Sequence, residues 1–506
     1  MAPQNESRRP VERVRGTQDS WSPEAETLAR VRSHLEASYE SFGFRRIEVP
    51  VIEPAELHLR KSGLDIISKL YAFEDQGGRQ LCLRPELTAS VVRAFVSQPA
   101  ARLPVRLFSS GPVFRYERPS RGRFRQFVQS GVELIGASGA LADAETIVLA
   151  AHGLDALGLK DYAITVGHVG VLGELLAGVG LSSRLRNFFL ESAEEARRKG
   201  VAAVRARLQL LDPELFEAPR APAAITDENA RQTIEELMRV VGSEGLGRRS
   251  NADVVERLVR KLAGDSHAGA VERGLSVLQR LGELRGAAED VLSGGRALLA
   301  EHGLPEEPLR LLEETCRLVT QLGVDGARLT LDLGLSRGLQ YYTGMVFEID
   351  HAGLGSESQL CGGGRYDDLI RAMGGRQSVP ALGFAFGLER VALALASQDA
   401  AAANPAPANV YVVPVNREVA GDAGRAAALL RASGVQAQLE VAGRSVRSCL
   451  QFADREGFTH VALLGEEASD GSLRLREMAN GEERVLAVSD AAALLREYRL
   501  GAIGGA

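Results

Sequence analysis

Residues 23–43 (PEAETLARVRSHLEASYESFG) space their apolar side chains as one face of a helix requires and close on a glycine, which predicts an amphipathic helix. FRRIEVPVIEP then reads as a strand broken by Pro50 and Pro54. From about 70 to 135 the apolar period shortens to two, and KLYAFEDQGGRQLCLRPEL gives two β-like runs around a Gln-Gly-Gly turn. LADAETIVLAAHGLDALGL (141–159) returns to helical spacing, and YAITVGH to a strand.

Residues 181–325 differ. They are rich in Ala, Leu, Arg and Glu and periodic at helical spacing, as in NADVVERLVRKLAG and AVERGLSVLQRLGELRGAAEDVL. A helical insertion is expected, with PELFEAPRAPAAITDEN as a loop. β character resumes in ARLTLDLGLSRGLQYYTGMVFEID, and the segment to 400 contains the apolar run ALGFAFGLERVALALA. AAANPAPAN reads as an extended linker. Strands and helices then alternate over 408–506, predicting a small α/β domain with a mainly parallel sheet. Four segments result: β-rich 1–180, helical 181–325, β-rich 326–400 and α/β 408–506.

A chain of 506 residues is too long for one hydrophobic core, in agreement with several domains. Net charge is −6, so any nucleic-acid binding must rest on local basic patches. Cys82, Cys316, Cys361 and Cys449 form no CxxC pair, and the eight histidines show no metal-ligand spacing. Neither a disulfide framework nor a protein-held metal is expected, and a reducing cytoplasm fits. The first residues lack the apolar centre of a signal peptide, and no run of about 18 apolar residues occurs. The expectation is a soluble cytoplasmic protein.

Against that plain background, FRYERPSRGRFRQFVQ (Phe114–Gln129) stands out, with five arginines interleaved with aromatics in sixteen residues. Arginine with aromatic rings suits a polyanion that itself carries rings, such as a nucleotide or a single strand. Strand alternation puts Phe127, Gln129, Gly131 and Glu133 on one face and Val128, Val132 and Leu134 on the other, core face. Upstream, the same alternation gives Arg115 and Glu117 one face. A hairpin with a polar face and an arginine-rich tip is predicted, as a ligand site or as a solvated charged hairpin. Under strand alternation LCLRPELTAS places Glu86 and Thr88 on one face beside Arg84, as part of a site or as a commonplace strand end. DLGLSRGLQYYTGMVFEI sets Arg337 in a glycine-rich run before Tyr341 and Tyr342. In CGGGRYDDLI the glycines either form a turn or let a ligand reach the backbone. In PALGFAFGLERVALALA, Arg390 needs an anionic partner from the protein or a ligand. No GxxxxGK[ST] and no Rossmann GxGxxG occurs, so ATP, if bound, would be held on an antiparallel sheet through arginines.

Taken in order, these segments resemble the class II aminoacyl-tRNA synthetases, and among them the histidyl enzymes. The resemblance covers roughly 12–180 and 326–500. The stretch around Pro50 is similar to the first class II motif, FRYERPSRGRFRQF to the second and GFAFGLERV to the third. SRGLQYYTGMVFE and CGGGRYDDL resemble the two histidyl signatures, with archaeal flavour. The resemblance implies an α+β fold: an antiparallel-sheet catalytic core (1–180 and 326–400), a helical insertion and an anticodon-binding α/β domain. It implies ATP as substrate with Mg2+ accompanying it, histidine and histidine tRNA as partners, and a homodimer without membrane attachment. It implies that Arg115 and Arg337 hold the α-phosphate as catalytic cations, Glu117 the adenine amino group and Arg123 the distal phosphates. Phe127 and Arg390 would sandwich adenine. Glu86, Thr88, Gln129, Glu133, Tyr342 and Tyr366 would hold histidine. Arg118, Ser120, Arg121, Arg444 and Arg447 would meet tRNA.

The chain departs from the pattern at Gln340 (Asp in the family), Val128 (His in bacterial members), Leu87 (Gly in many) and Ser120. The last replaces a glutamine that in bacterial members contacts the extra 5′ guanosine of histidine tRNA. A second reading makes the chain a synthetase-like regulatory subunit of ATP phosphoribosyltransferase, although such paralogues generally lack an anticodon-binding domain. A third is a tRNA-binding sensor with a dead site, against which the arginines speak. Its mixed charge gives the insertion no dominant basic stripe, so it either grips tRNA or plays a plain packing role; if it grips tRNA, removing 185–320 is expected to weaken tRNA binding while sparing adenylate formation.

Overall fold

The computed structural model describes residues 10–60, 68–98, 102–216, 267–336, 341–398, 409–466 and 470–501. Two compact units divide the chain, Met1–Gln398 and Asp399–Ala506.

The strands of the first unit are β1 (Arg45–Arg46), β2 (Ile52–Pro54), β3 (Tyr71–Glu74), β4 (Gln80–Leu83), β5 (Val105–Phe114), β6 (Gln126–Ile135), β7 (Tyr162–His168), β8 (Arg285–Gly286), β9 (Leu329–Asp332), β10 (Met345–His351), β11 (Gln359–Arg365) and β12 (Ala381–Gly387). Nine form one sheet in the order β1-β5-β6-β12-β11-β10-β7-β9-β8, and β2-β4-β3 form a small second one. The large sheet is antiparallel except where β1 meets β5 and β7 meets β9. The α+β architecture read from the sequence is the one observed.

Helix Glu24–Ser41 buries Val31, Leu35 and Tyr39, a stripe with a spacing of four, and helix Ala140–Ala156 buries Ile147, Ala151 and Leu154. Helix Glu24–Ser41 packs on β6 and helix Ala140–Ala156 on β12 and β11, and both share one core with Val132 and Leu134 of β6, the face that the alternation predicted. The other face is left for polar groups. The triple glycine of CGGGR is neither a turn nor a loop. Gly362, Gly363 and Gly364 lie within β11, paired to β10 on one side and β12 on the other. A side chain at Gly363 would run into Phe384 and the ring of Phe347, so close packing is what demands glycine there.

The described part of 181–325 is helical, as expected: Ser183–Lys199, Val201–Leu211, His267–Glu283, Ala288–Glu301 and Glu307–Gln321, with the short strand β8 among them. NADVVERLVRKLAG and most of PELFEAPRAPAAITDEN fall outside the described residues. These helices share the core of the sheet: Phe189, Leu278 and Leu312 belong to the same apolar cluster as Phe347 and Phe384.

The second unit has β13 (Asn409–Pro414), β14 (Gln436–Leu439), β15 (His460–Leu464), β16 (Ser472–Glu477) and β17 (Glu483–Ala487) in the order β14-β13-β15-β16-β17. β13 is parallel to β14 and β15, whereas β16 and β17 are antiparallel. The sheet is therefore mixed rather than mainly parallel. Only residues 478–482 separate β16 from β17, a hairpin length; a parallel crossover needs about a dozen residues or more.

Candidate active site

β5 and β6 pair without interruption from Val105↔Ile135 to Phe114↔Gln126, which makes the predicted hairpin. β5 ends at Phe114, so Arg115 and Glu117 lie on the connection rather than in the strand. Arg115 keeps a strand-like bond, its N–H donating to the Arg125 carbonyl at 2.9 Å. The tip is a tight turn: Ser120 and Arg123 exchange backbone bonds of 3.1 and 3.0 Å, and Gly122 takes φ +75°. Arg118, Ser120 and Arg121 stand exposed on it.

A cleft of about 560 Å³ opens on the polar face of the sheet beside this hairpin. Arg115, Glu117, Arg123, Phe127, Gln129 and Arg390 all line it. The Arg115 guanidinium is held by the Pro85 carbonyl at 2.9 Å and lies 5.4 Å from the Phe127 ring centroid. Glu117 pairs with Arg123 and, at 3.1 Å, with Lys69. Burial would raise the Glu117 carboxyl, but Arg123 and Lys69 override it and hold the group at about 2. Arg390 finds the anionic partner it needs in Glu357 at 2.6 Å, and it donates to the carbonyls of Gly122 and Gln359, each at 3.0 Å. Among the described residues, the buried side-chain oxygen of Gln129 has no hydrogen-bond partner. That leaves an acceptor open for a donor arriving in the cleft.

Farther along the same face of β6, Glu133 is buried and accepts from the Tyr366 hydroxyl. Glu86, also buried, accepts from the Ala89 N–H and the Tyr341 hydroxyl, each at 3.1 Å. The Thr88 hydroxyl interacts with both carboxylates. Thr88 is not on a strand with Glu86, since β4 stops at Leu83 and Thr88 opens helix Thr88–Val96. Pro85 accounts for the break, having no N–H to give a strand partner. Burial pushes both carboxyls up, Glu133 well up, and the charge of Glu86 adds to the rise at Glu133. Two carboxylates in one dry pocket need a cation or protons to be stable.

Of the tyrosines expected here, Tyr366 meets Glu133; Tyr341, given no role by the resemblance, bonds Glu86. Tyr342 packs beside it, with ring centroids 4.9 Å apart. Arg337 and Gln340 lie outside the described residues.

Sequence reasoning missed several lining residues. Neither periodicity nor the resemblance gives Lys69 or Glu357 a role. Glu389 sits in an apolar run, and both its oxygens accept from the Val128 N–H, at 2.9 and 3.1 Å. Glu194, Arg197 and Arg198, from helix Ser183–Lys199 of the insertion, also line the cleft. Helical periodicity carries no sign that this helix meets the sheet.

In the second unit, Arg444 is tied to Glu440 at 2.9 Å and lies 4.4 Å from the Phe452 ring centroid, while Ser445 caps helix Val446–Arg455. Arg447 is exposed on the first turn of that helix.

A profile described as histidyl-tRNA synthetase matches residues 16–245 and 243–391, and one described as anticodon binding domain matches 409–498. The chain is 31% identical to the histidine–tRNA ligase of Methanocaldococcus jannaschii across 95% of this chain and 98% of that protein. It is 30% identical to that of Archaeoglobus fulgidus, across 96% and 100%. It is 31% identical to that of Geobacillus kaustophilus, across 96% and 97%. Among solved structures, histidyl-tRNA synthetase from Nostoc sp. PCC 7120 superposes with a TM-score of 0.67 at 21% identity, covering 97% of this chain and 99% of that one. A structure described as an ATP phosphoribosyltransferase regulatory subunit/histidyl-tRNA synthetase, from Bacillus halodurans, gives 0.64 at 23% identity, covering 90% and 99%. At such identities the structures speak for the fold alone.

Proposed function

The chain belongs to the histidyl-tRNA synthetase family, and from that premise we propose that it is a histidine–tRNA ligase working through the cleft described above. The observation that carries the reading is the meeting, on one face of β6, of an arginine-lined cleft with a buried pocket holding two carboxylates. The cleft suits the polyphosphate of ATP, and the pocket suits an amino acid with an ammonium group and a ring that donates hydrogen bonds.

The histidine carboxylate attacks the α-phosphorus of ATP in line, and pyrophosphate leaves. A terminal hydroxyl of tRNA then attacks the carbonyl of the adenylate, and AMP leaves. The attacking carboxylate is already ionised, so the first step needs no general base. Positioning and neutralisation of charge building on phosphate oxygens supply most of the acceleration. Arg115, oriented by the Pro85 carbonyl, is assigned to the α-phosphate. Arg123 is assigned to the distal phosphates, where ATP competes with Glu117 for it. Glu117 is assigned to the adenine amino group, with Phe127 and Arg390 on the two faces of the base. Arg337 takes the second α-phosphate contact on family grounds. Magnesium enters with the triphosphate as part of the substrate. Glu86 and Thr88 take the ammonium group, Glu133 and Tyr366 the imidazole, with Tyr342 and the open oxygen of Gln129 completing the pocket.

Arg118, Ser120 and Arg121 on the exposed tip are assigned to the acceptor end of tRNA, and Arg447 with Arg444 to its anticodon side. The matched anticodon-binding domain favours the ligase over the regulatory-subunit reading. We place the protein in the cytoplasm as a homodimer, with the exposed Ile52, Leu59 and Phe73 around the small sheet as the apolar surface a partner copy would cover. Among the described residues no helix is long and apolar enough to cross a membrane.

The test is histidine-dependent exchange of pyrophosphate into ATP, followed by aminoacylation of histidine tRNA with and without its extra 5′ guanosine. Exchange is expected with histidine alone of the amino acids. Binding of a phosphoribosyltransferase without any exchange would overturn the proposal.

A further inference from the structure

Among the residues by which the insertion reaches the nucleotide cleft, Arg197 is half-buried and spans helix and sheet. Arg197, in the last turn of helix Ser183–Lys199, bonds Glu194 on its own helix at 3.0 and 3.2 Å. The same guanidinium faces two carboxylates of the sheet, Glu348 of β10 at 3.5 Å and Asp332 of β9 at 3.6 Å. Burial works against its charge, and the three carboxylates more than offset that. Glu348 is no bystander. Its other oxygen accepts from the Gln359 side chain at 2.7 Å, and the Gln359 carbonyl accepts from Arg390 at 3.0 Å. Gln359 stands where β11 carries an extra residue: Asp350 pairs with Gln359 and Ile349 with Cys361, leaving Leu360 between them. Such a bulge lets a strand re-aim its backbone toward a site. Arg390 in turn holds Gly122 at the tip of the hairpin and Glu357, which lies 3.5 Å from Arg123.

We propose that Arg197 is a positioning residue for ATP, fixing Glu348 and through it the Gln359 carbonyl that orients Arg390. The proposal rests on the reading of this cleft as the ATP site. An arginine that merely docked the insertion would need only its own-helix partner and Asp332. The Glu348–Gln359–Arg390 continuation is what connects it to the nucleotide.

The test uses the full chain and compares Arg197→Ala, Arg197→Lys, Glu348→Gln and the double variant R197A/E348Q by histidine-dependent pyrophosphate exchange, with melting temperatures alongside. Arg197→Ala is expected to raise KM for ATP about five- to tenfold, with kcat changed by no more than about twofold, the size of coupling seen between networked neighbours. Arg197→Lys should recover most of the loss, and the double variant should be no worse than Glu348→Gln. A lowered melting temperature with KM for ATP unchanged would overturn the inference, since docking alone would then explain the residue. Multiplying effects in the double variant would overturn it too, because Arg197 would then act without Glu348. Wild-type protein lacking exchange would overturn the ligase reading and this inference with it. Active wild type with an indifferent Arg197→Ala would overturn the inference alone.

Discussion

Glu389→Ala isolates a contact by which the third class II motif holds the second. β12 stops at Gly387, opposite Gln129, so the next N–H along β6, that of Val128, has no strand to bond. Glu389, in the first turn of helix Leu388–Gln398, supplies both its oxygens instead, at 2.9 and 3.1 Å. Burial raises the carboxyl and the Val128 N–H draws it back. Alanine strands the donor. A stranded buried donor costs about 1–3 kcal/mol, and the lower half of that range applies because Val128 is only half-buried. Unfolding entropy of about 2 cal/mol/K per residue, over a unit of this length, turns such a loss into a drop of about 1–3 °C in melting temperature. Val128 lies between Phe127 and Gln129, so KM for ATP should rise in step. Glu389→Gln keeps one acceptor oxygen and should lose less than half as much of both. Scanning calorimetry and pyrophosphate exchange measure the two quantities. If Glu389→Ala melts and binds ATP as wild type does, or if Glu389→Gln is as damaged as alanine, the carboxylate is not the support of β6 argued here.

Gly383→Ala should cripple histidine activation, because a methyl group there would overlap the Glu133 carboxylate and the Val132 carbonyl. Displacing Glu133 is expected to lower kcat/KM for histidine by about 10²-fold, the order that small misplacements cost, and an unchanged value would refute the position given to Glu133. Histidine binding should release protons. Glu86 and Glu133 have raised pKa values, so their contribution to folding is full below the ordinary carboxylate range and is lost as pH rises through the raised values. An incoming ammonium group favours the ionised forms, so affinity should strengthen with pH until both are ionised without help. Calorimetric titration at a series of pH values upward from the ordinary carboxylate range, in buffers of different ionisation enthalpy, reads the proton count. Proton uptake throughout, or no release at any pH, would contradict it.

Much of this site was legible because strand alternation is strict. Gln129 and Glu133 fell on the ligand face, and Val132 and Leu134 on the core face, from parity alone. Parity failed wherever the chain left the strand. Thr88 opens a helix after Pro85, and Arg115 and Glu117 lie past the end of β5. The tandem Tyr341–Tyr342 precedes β10, so no alternation says which hydroxyl reaches Glu86. The triple glycine read more readily as a turn, because what excludes side chains there is contact with Phe384 and Phe347, which are close only in space. Lys69, Glu357 and Glu389 carry no local signal either. Each matters through a partner far away in sequence.

The insertion is where local reading and three-dimensional packing disagree most. Its composition and helical period set it apart from the sheet, which invites the view of a detachable clamp whose removal spares adenylate formation. Its described helices contradict that view twice. Phe189, Leu278 and Leu312 share one apolar core with Phe347 and Phe384, so removing 185–320 would expose buried sheet surface rather than a domain boundary. Arg197 supplies charge to Glu348, and Arg197 and Arg198 line the cleft. A segment that covers the back of the sheet while reaching round to its ligand face cannot be removed without moving the cleft. Adenylate formation and the placement of the insertion are therefore one structural problem in this chain, and single substitutions at Arg197 and Glu348 separate the two roles where deletion would not.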